Sequence, residues 1–120
     1  MKVQQMLNSL PILQRVMELK LPIKKAYKLF SLAKQINEQR DFFIQEEKKL
    51  VTKFNAEIVD KGGLRFNSPE DQQAFVKEHG ELMQYEVDLE AVELSFDDLG
   101  DVEFTPKDLM ALEGVINFVD

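Results

Sequence analysis

Leu29, Ile36, Phe43 and Leu50 lie seven residues apart, and Ala26, Ala33, Arg40, Glu47 and Phe54 fill the alternate position of the same stripe. A heptad-like pattern sustained over four repeats constrains a chain more than any other feature here, because it commits residues 22–54 to one continuous helix. Pro22 suits a first helical turn, since its ring presets φ, and it pushes Leu21 toward extended geometry. At 1.5 Å per residue the helix is roughly 50 Å long. A chain of 120 residues buries about two-thirds of its unfolded surface, enough for one modest core. A helix of that length therefore needs either a second long helix along it or another chain. The expectation is that the apolar stripe outruns its own domain, which makes Leu29, Ile36, Phe43 and Leu50 a candidate interface. Arg40 and Glu47 are expected to pack their aliphatic stems while their charges reach water.

The rest of the chain is expected to fold around this helix as one domain spanning 1–120. Ser9 and Pro11 suggest a preceding helix from Leu10 to about Leu19. Residues 57–66 contain two short β-prone runs around Gly62-Gly63, the pattern of a hairpin. Ser68-Pro69-Glu70-Asp71 is a helix start, with a hydroxyl cap, Pro in the first turn and acids at the positive helix end. That helix is expected over 69–85 and antiparallel to the long one, with Phe75, Val76, Leu82 and Met83 inward. Over 87–96 the period changes to two, with a phase slip between Ala91 and Val92, which predicts a strand region with a bulge or bend. Thr105-Pro106-Lys107-Asp108 opens a last helix, expected over 106–118, with Leu109, Leu112, Val115, Ile116 and Val119 on its apolar face. The predicted fold class is α+β and mainly helical: a long helix, a shorter antiparallel partner helix, a small antiparallel β element and a C-terminal helix.

Composition narrows the chemistry. The chain has no Cys and one His, which leaves no thiolate chemistry and no His pair for a metal site, and the one His, His79, shows neither the partner nor the pocket that a triad needs. No catalytic, cofactor-binding or metal-ligating set is expected, and the chain reads as a non-enzyme. The spacing of Asp97, Asp98, Asp101 and Glu103 does not follow a calcium loop. No segment approaches the apolar length needed to span a bilayer, and no leader is visible, so no membrane partner is expected.

Charge is polarised along the chain. Residues 1–60 hold eleven Lys and Arg against seven Asp and Glu, a balance of +4, and residues 61–120 hold four against fifteen, a balance of −11. Leu19 to Asn37 contains no acid, and Glu78 to Pro106 contains no Lys or Arg. Lys20, Lys24 and Lys28, four residues apart, form a candidate anion patch on one helical face. The net charge of −7 is wrong for a dedicated nucleic-acid binder. Opposite-sign patches accelerate association with a complementary protein.

Leu21-Pro22-Ile23-Lys24-Lys25-Ala26-Tyr27-Lys28-Leu29, then Ala33-Lys34-Gln35-Ile36-Asn37, the long charged helix, the mid-chain hairpin, Leu89 to Leu94 and Phe104-Thr105-Pro106-Lys107-Asp108-Leu109-Met110-Ala111-Leu112-Glu113 occur in that order. Together they resemble a family of small uncharacterised proteins encoded by tailed phages and prophages of Gram-positive bacteria. The resemblance covers roughly residues 10–116. It brings no catalytic residues. It implies a phage origin and a role in virion assembly or in the phage–host contest. With a long helix that its own chain is too short to cover and no catalytic set, the expectation is a non-enzymatic phage accessory protein acting by protein–protein contact in virion or tail assembly, in the host cell cytoplasm or associated with the virion. The partner would be a second copy or another phage or host protein. The alternative it leaves is a host-defence antagonist, which sequesters a nucleotide signal at the lysine patch or imitates nucleic acid with its acidic half.

Overall fold

The computed structural model describes residues 1–119, without the side chain at position 61. Helix α1 spans Val3–Met17, longer at its start than the Ser9–Pro11 pattern suggests. Val3, Met6, Leu13 and Val16 recur at helical spacing and are all buried, so tertiary packing carries the helix through Pro11 on its exposed side. Pro11 has no N–H to donate to Leu7, a local cost of about 3 kcal/mol that burial of this face offsets. Ser9 is buried within the helix instead of capping it, and its hydroxyl donates to the Met6 carbonyl at 2.6 Å.

Helix α2 runs unbroken from Ile23 to Lys53, with Pro22 as its N-cap. It sets the long axis of a molecule measuring 53 × 24 × 21 Å. Its cover comes from its own chain in relay. Helix α1 and strand β3 (Val92–Ser95) pack along its first half, and α3 (Pro69–Met83) packs along its second. Contacts descend in order, Phe54 with Phe75, Lys53 with Glu78, Glu47 with His79 and Phe43 with Tyr85, so α3 runs antiparallel to α2. Leu29, Ile36 and Phe43 are buried and Leu50 is half-buried against the core. The stripe expected to outrun the domain is therefore the domain's own core seam. Three short elements succeed one another along one rod, which a count of residues against helix length does not anticipate.

Between α2 and α3 lies the expected antiparallel hairpin. Strands β1 (Glu57–Ile58) and β2 (Leu64–Arg65) pair Glu57 with Arg65 and Ile58 with Leu64. Its loop holds a 3-10 turn over Asp60–Gly62, with Gly62 at φ +77°, a left-handed geometry that glycine adopts freely. Phe66 and Phe54 both pack on Phe75, at 5.2 and 6.4 Å between ring centres, and tie this end together. Helix α3 starts at the Ser68 cap, whose hydroxyl accepts from the Asp71 N–H at 3.1 Å. It ends at Met83, two residues before the expected Tyr85. Phe75, Leu82 and Met83 face inward as predicted, whereas Val76 is exposed.

Residues 87–91 form no strand, and β3 occupies only the second half of the predicted 87–96 region. The phase slip is visible in burial: Val87 is covered before it, Val92 and Leu94 after it. The backbone before β3 bonds to the chain's beginning, with the Val3 N–H donating to the Tyr85 carbonyl at 2.9 Å and the Val87 N–H to the Met1 carbonyl at 2.7 Å.

The C-terminal region departs most from expectation. Helix α4 begins at the Thr105 cap as predicted but spans only Pro106–Ala111. Residues 116–119 form strand β4 (Ile116–Val119), parallel to β3, with Val92 opposite Ile116 and Ser95 opposite Val119. The helix expected over 106–118 is thus a short helix and a strand. Gly114 at φ +89° turns the chain out of the helix. Val115, Ile116 and Val119 are β-branched and fit a pleated surface. A 3-10 turn over Phe96–Leu99, a loop and α4 form the crossover that two parallel strands require. The fold is α+β and mainly helical.

Candidate interaction surface

Two features organise the first half of α2. The first is charge. Lys24, Lys25 and Lys28 sit in its opening turns, and there is neither an acid nor a side-chain cap in the first turn. The aligned peptide dipoles add positive potential at that end. Lys20 falls outside the helix, in the turn joining α1 to α2, so the three lysines of the candidate anion patch do not share one helical face. Lys24 and Lys28 do, one turn apart, and both are exposed.

Lys25 points the other way. Its Nζ donates to Asp98 Oδ2 at 2.6 Å. Asp98 also accepts from the Ser95 N–H at 2.8 Å, and the Ser95 hydroxyl accepts in return from the Asp98 N–H at 3.3 Å. The hydrogen bond from Lys25, followed by that from the Ser95 backbone, holds the Asp98 carboxyl below its ordinary range. Arg15 similarly donates to Asp108 at 3.0 Å and to the Glu103 carbonyl, with its guanidinium 4.6 Å over the Phe104 ring. Lys53 pairs with Glu78 at 2.7 Å. Some of the opposite charge in the two halves of the chain is therefore consumed within the fold.

The second feature is an apolar set that faces away from the core. Ile23 is 81% exposed, Tyr27 65% and Phe30 58%. At 100° per residue these positions fall within about 60° of one another and roughly opposite Leu29, Leu32 and Ile36. The opening turns of α2 are thus apolar on two sides, one inside and one outside. Beyond Phe30 the outer line turns polar at Lys34, Asn37 and Asp41. The heptad stripe reveals the buried side. The outer side is legible only as a second series, at i, i+4 and i+7, running out of phase with the first.

A cleft of about 780 Å³ opens beside this stripe, between α2 and β3. Tyr27, Lys28, Ser31 and Gln35 form one wall; Glu90, Glu93 and Asn117 form the other. The Gln35 amide oxygen accepts from the Glu90 N–H at 3.3 Å and closes one end. The walls carry opposite charge, positive on the helix and negative on the strand side.

His79 hydrogen-bonds Glu47 at 2.9 Å and stacks on Phe75 at 5.5 Å. Among the described residues no three His, Cys, Asp or Glu side chains converge as metal ligands, and no helix is long and apolar enough to cross a membrane. Comparison of the chain with protein-family models, with curated proteins and with solved structures finds no match.

Proposed function

We propose that this is a non-enzymatic protein that works by protein–protein contact, through the outward side of the first turns of α2. The observation that carries the reading is the exposed set Ile23, Tyr27 and Phe30 on a rigid helix whose opposite side is fully engaged in the core. Apolar residues exposed together on a rigid element cost solvation that a bound partner recovers, and such patches mark contact sites. A rod 53 Å long also holds this surface away from the hairpin end. The resemblance to small phage and prophage proteins supports virion or tail assembly as the setting of this contact. The buried residues Leu29, Ile36 and Phe43 have no part in it.

The test is a photo-crosslinking side chain at position 30, with position 48 on the same helix as the exposed polar control, in cells that produce the protein with its natural neighbours. A discrete adduct from position 30 alone is expected. Diffuse or equal labelling from both positions overturns the reading. An adduct with a virion structural protein supports the assembly role, and one with a host enzyme replaces it.

A further inference from the structure

We infer that the first two turns of α2 receive an acid-flanked amphipathic helix of a partner protein, lying along Ile23, Tyr27 and Phe30 with its carboxylates beside Lys24 and Lys28. This rests on the contact reading above and specifies the chemistry of the partner.

Geometry favours a helix. Residues at i, i+4 and i+7 share one helical face, the anchor spacing by which helices recognise one another. The exposed parts of one Ile, one Tyr and one Phe amount to roughly 400 Å². That is about half of what each partner contributes to a standard interface of ~800 Å² a side. Aliphatic stems of the flanking lysines extend it, to the footprint of a few helical turns.

Charge selects the sign. Residues 19–37 contain five lysines and no acid. Lys25 is turned to Asp98, which leaves Lys20, Lys24, Lys28 and Lys34 exposed along the segment. A partner with carboxylates on its flank meets a surface of opposite sign, which speeds encounter and sets orientation. The same charges argue against a broad anionic partner. Glu90 and Glu93 stand across the cleft from Lys28, and the chain carries −7 overall. A lipid surface or nucleic acid would meet those acids, whereas a single narrow helix is confined to the positive strip. A second copy presenting the same strip would set lysines against lysines.

The test uses two synthetic amphipathic peptides of about 16 residues, long enough for appreciable helicity. Both have leucines at i, i+3, i+4 and i+7; one is flanked by glutamates and the other by lysines. Backbone amide NMR titrations of the full chain read the site and affinity. The glutamate peptide should shift signals of residues 23–30 and bind about tenfold more tightly than the lysine peptide. Tyr27→Ala should weaken it about tenfold without lowering the melting temperature. The double variant Lys24→Glu, Lys28→Glu should reverse the preference. Equal or opposite preference in the native chain overturns the inference, as do shifts elsewhere, no binding, tighter binding to phosphatidylserine vesicles, or self-association through the same residues. If the peptides fail while position 30 still crosslinks to a protein, only the partner's chemistry is wrong. If crosslinking fails too, the contact reading falls with it.

Discussion

Ile36→Ala tests whether the stripe of α2 is an internal seam. Ile36 is 1% exposed and lies in the core cluster with Leu13, Leu32 and Leu94. The substitution deletes three carbons. At about 0.8 kcal/mol per buried methylene, the transfer contribution is roughly 2.4 kcal/mol. Incomplete closure of the cavity raises the loss, and the better helix propensity of Ala returns a few tenths. The expected cost is about 3 kcal/mol. A domain of this size holds roughly 6–18 kcal/mol in all, so the variant stays folded. In urea, with a slope of about 1.5 kcal/mol per molar, the midpoint should fall by about 2 M. Tyr27→Ala, on the opposite side of the same helix, should move it by no more than about 0.3 M, the range of surface substitutions. Circular dichroism melts in urea measure both. If Ile36→Ala shifts the midpoint by less than Tyr27→Ala, or mainly changes the molecular mass in solution, then the stripe is sheltered by another chain and the relay of covering elements is wrong.

Other expectations follow from single contacts. Asp98 has its carboxyl pKa lowered in the fold, so its contribution to stability is present above the unfolded value near 3.9 and is lost as pH falls through the folded value. Below about pH 4 the melting temperature of the native chain should therefore fall more steeply than that of Asp98→Asn; superimposable pH profiles would refute the Lys25–Asp98 link. Gly114→Ala places a side chain at φ +89°, with its Cβ 3.3 Å from the Met1 side chain, and should cost about 1–2 kcal/mol in chemical denaturation. An unchanged midpoint would mean that the helix-to-strand turn lies elsewhere. Thr105→Ala removes the hydroxyl that accepts from the Asp108 N–H at 3.1 Å and should cost about 1 kcal/mol; hydrogen exchange should rise in α4 before it rises in α2.

The features read correctly from the chain are those whose cause is local. Pro22, Ser68-Pro69 and Thr105-Pro106 mark helix starts within a residue or two because capping and the fixed φ of proline act on neighbouring groups. The features misread have distant causes. The C-terminal segment carries apolar residues at both helical and strand spacing, and the free edge of β3 decides between them by offering Val92 and Leu94 to Ile116 and Phe118. The beginning of α1 has no hydroxyl or carboxylate at its N-cap; the Gln5 side chain accepts from the Lys2 N–H at 2.9 Å, and the start rests beyond that on burial of Val3 and Met6. The candidate anion patch treats Lys20, Lys24 and Lys28 as one helical face by spacing alone, and the break before Pro22 separates Lys20 from the others.

The rod is written in the order of residues alone: an unbroken α2, its apolar seam, and the concentration of lysines without acids near its start. Helical periodicity and charge order are properties of neighbours along the chain, and no distant contact is needed to express them. Which apolar residues of the rod lie inside is settled by the elements that pack on it. Packing of α1, α3 and β3 encloses Leu29, Ile36 and Phe43, and leaves Ile23, Tyr27 and Phe30 facing water. Burial depends on what arrives from elsewhere in the chain, which a spacing along one helix does not record.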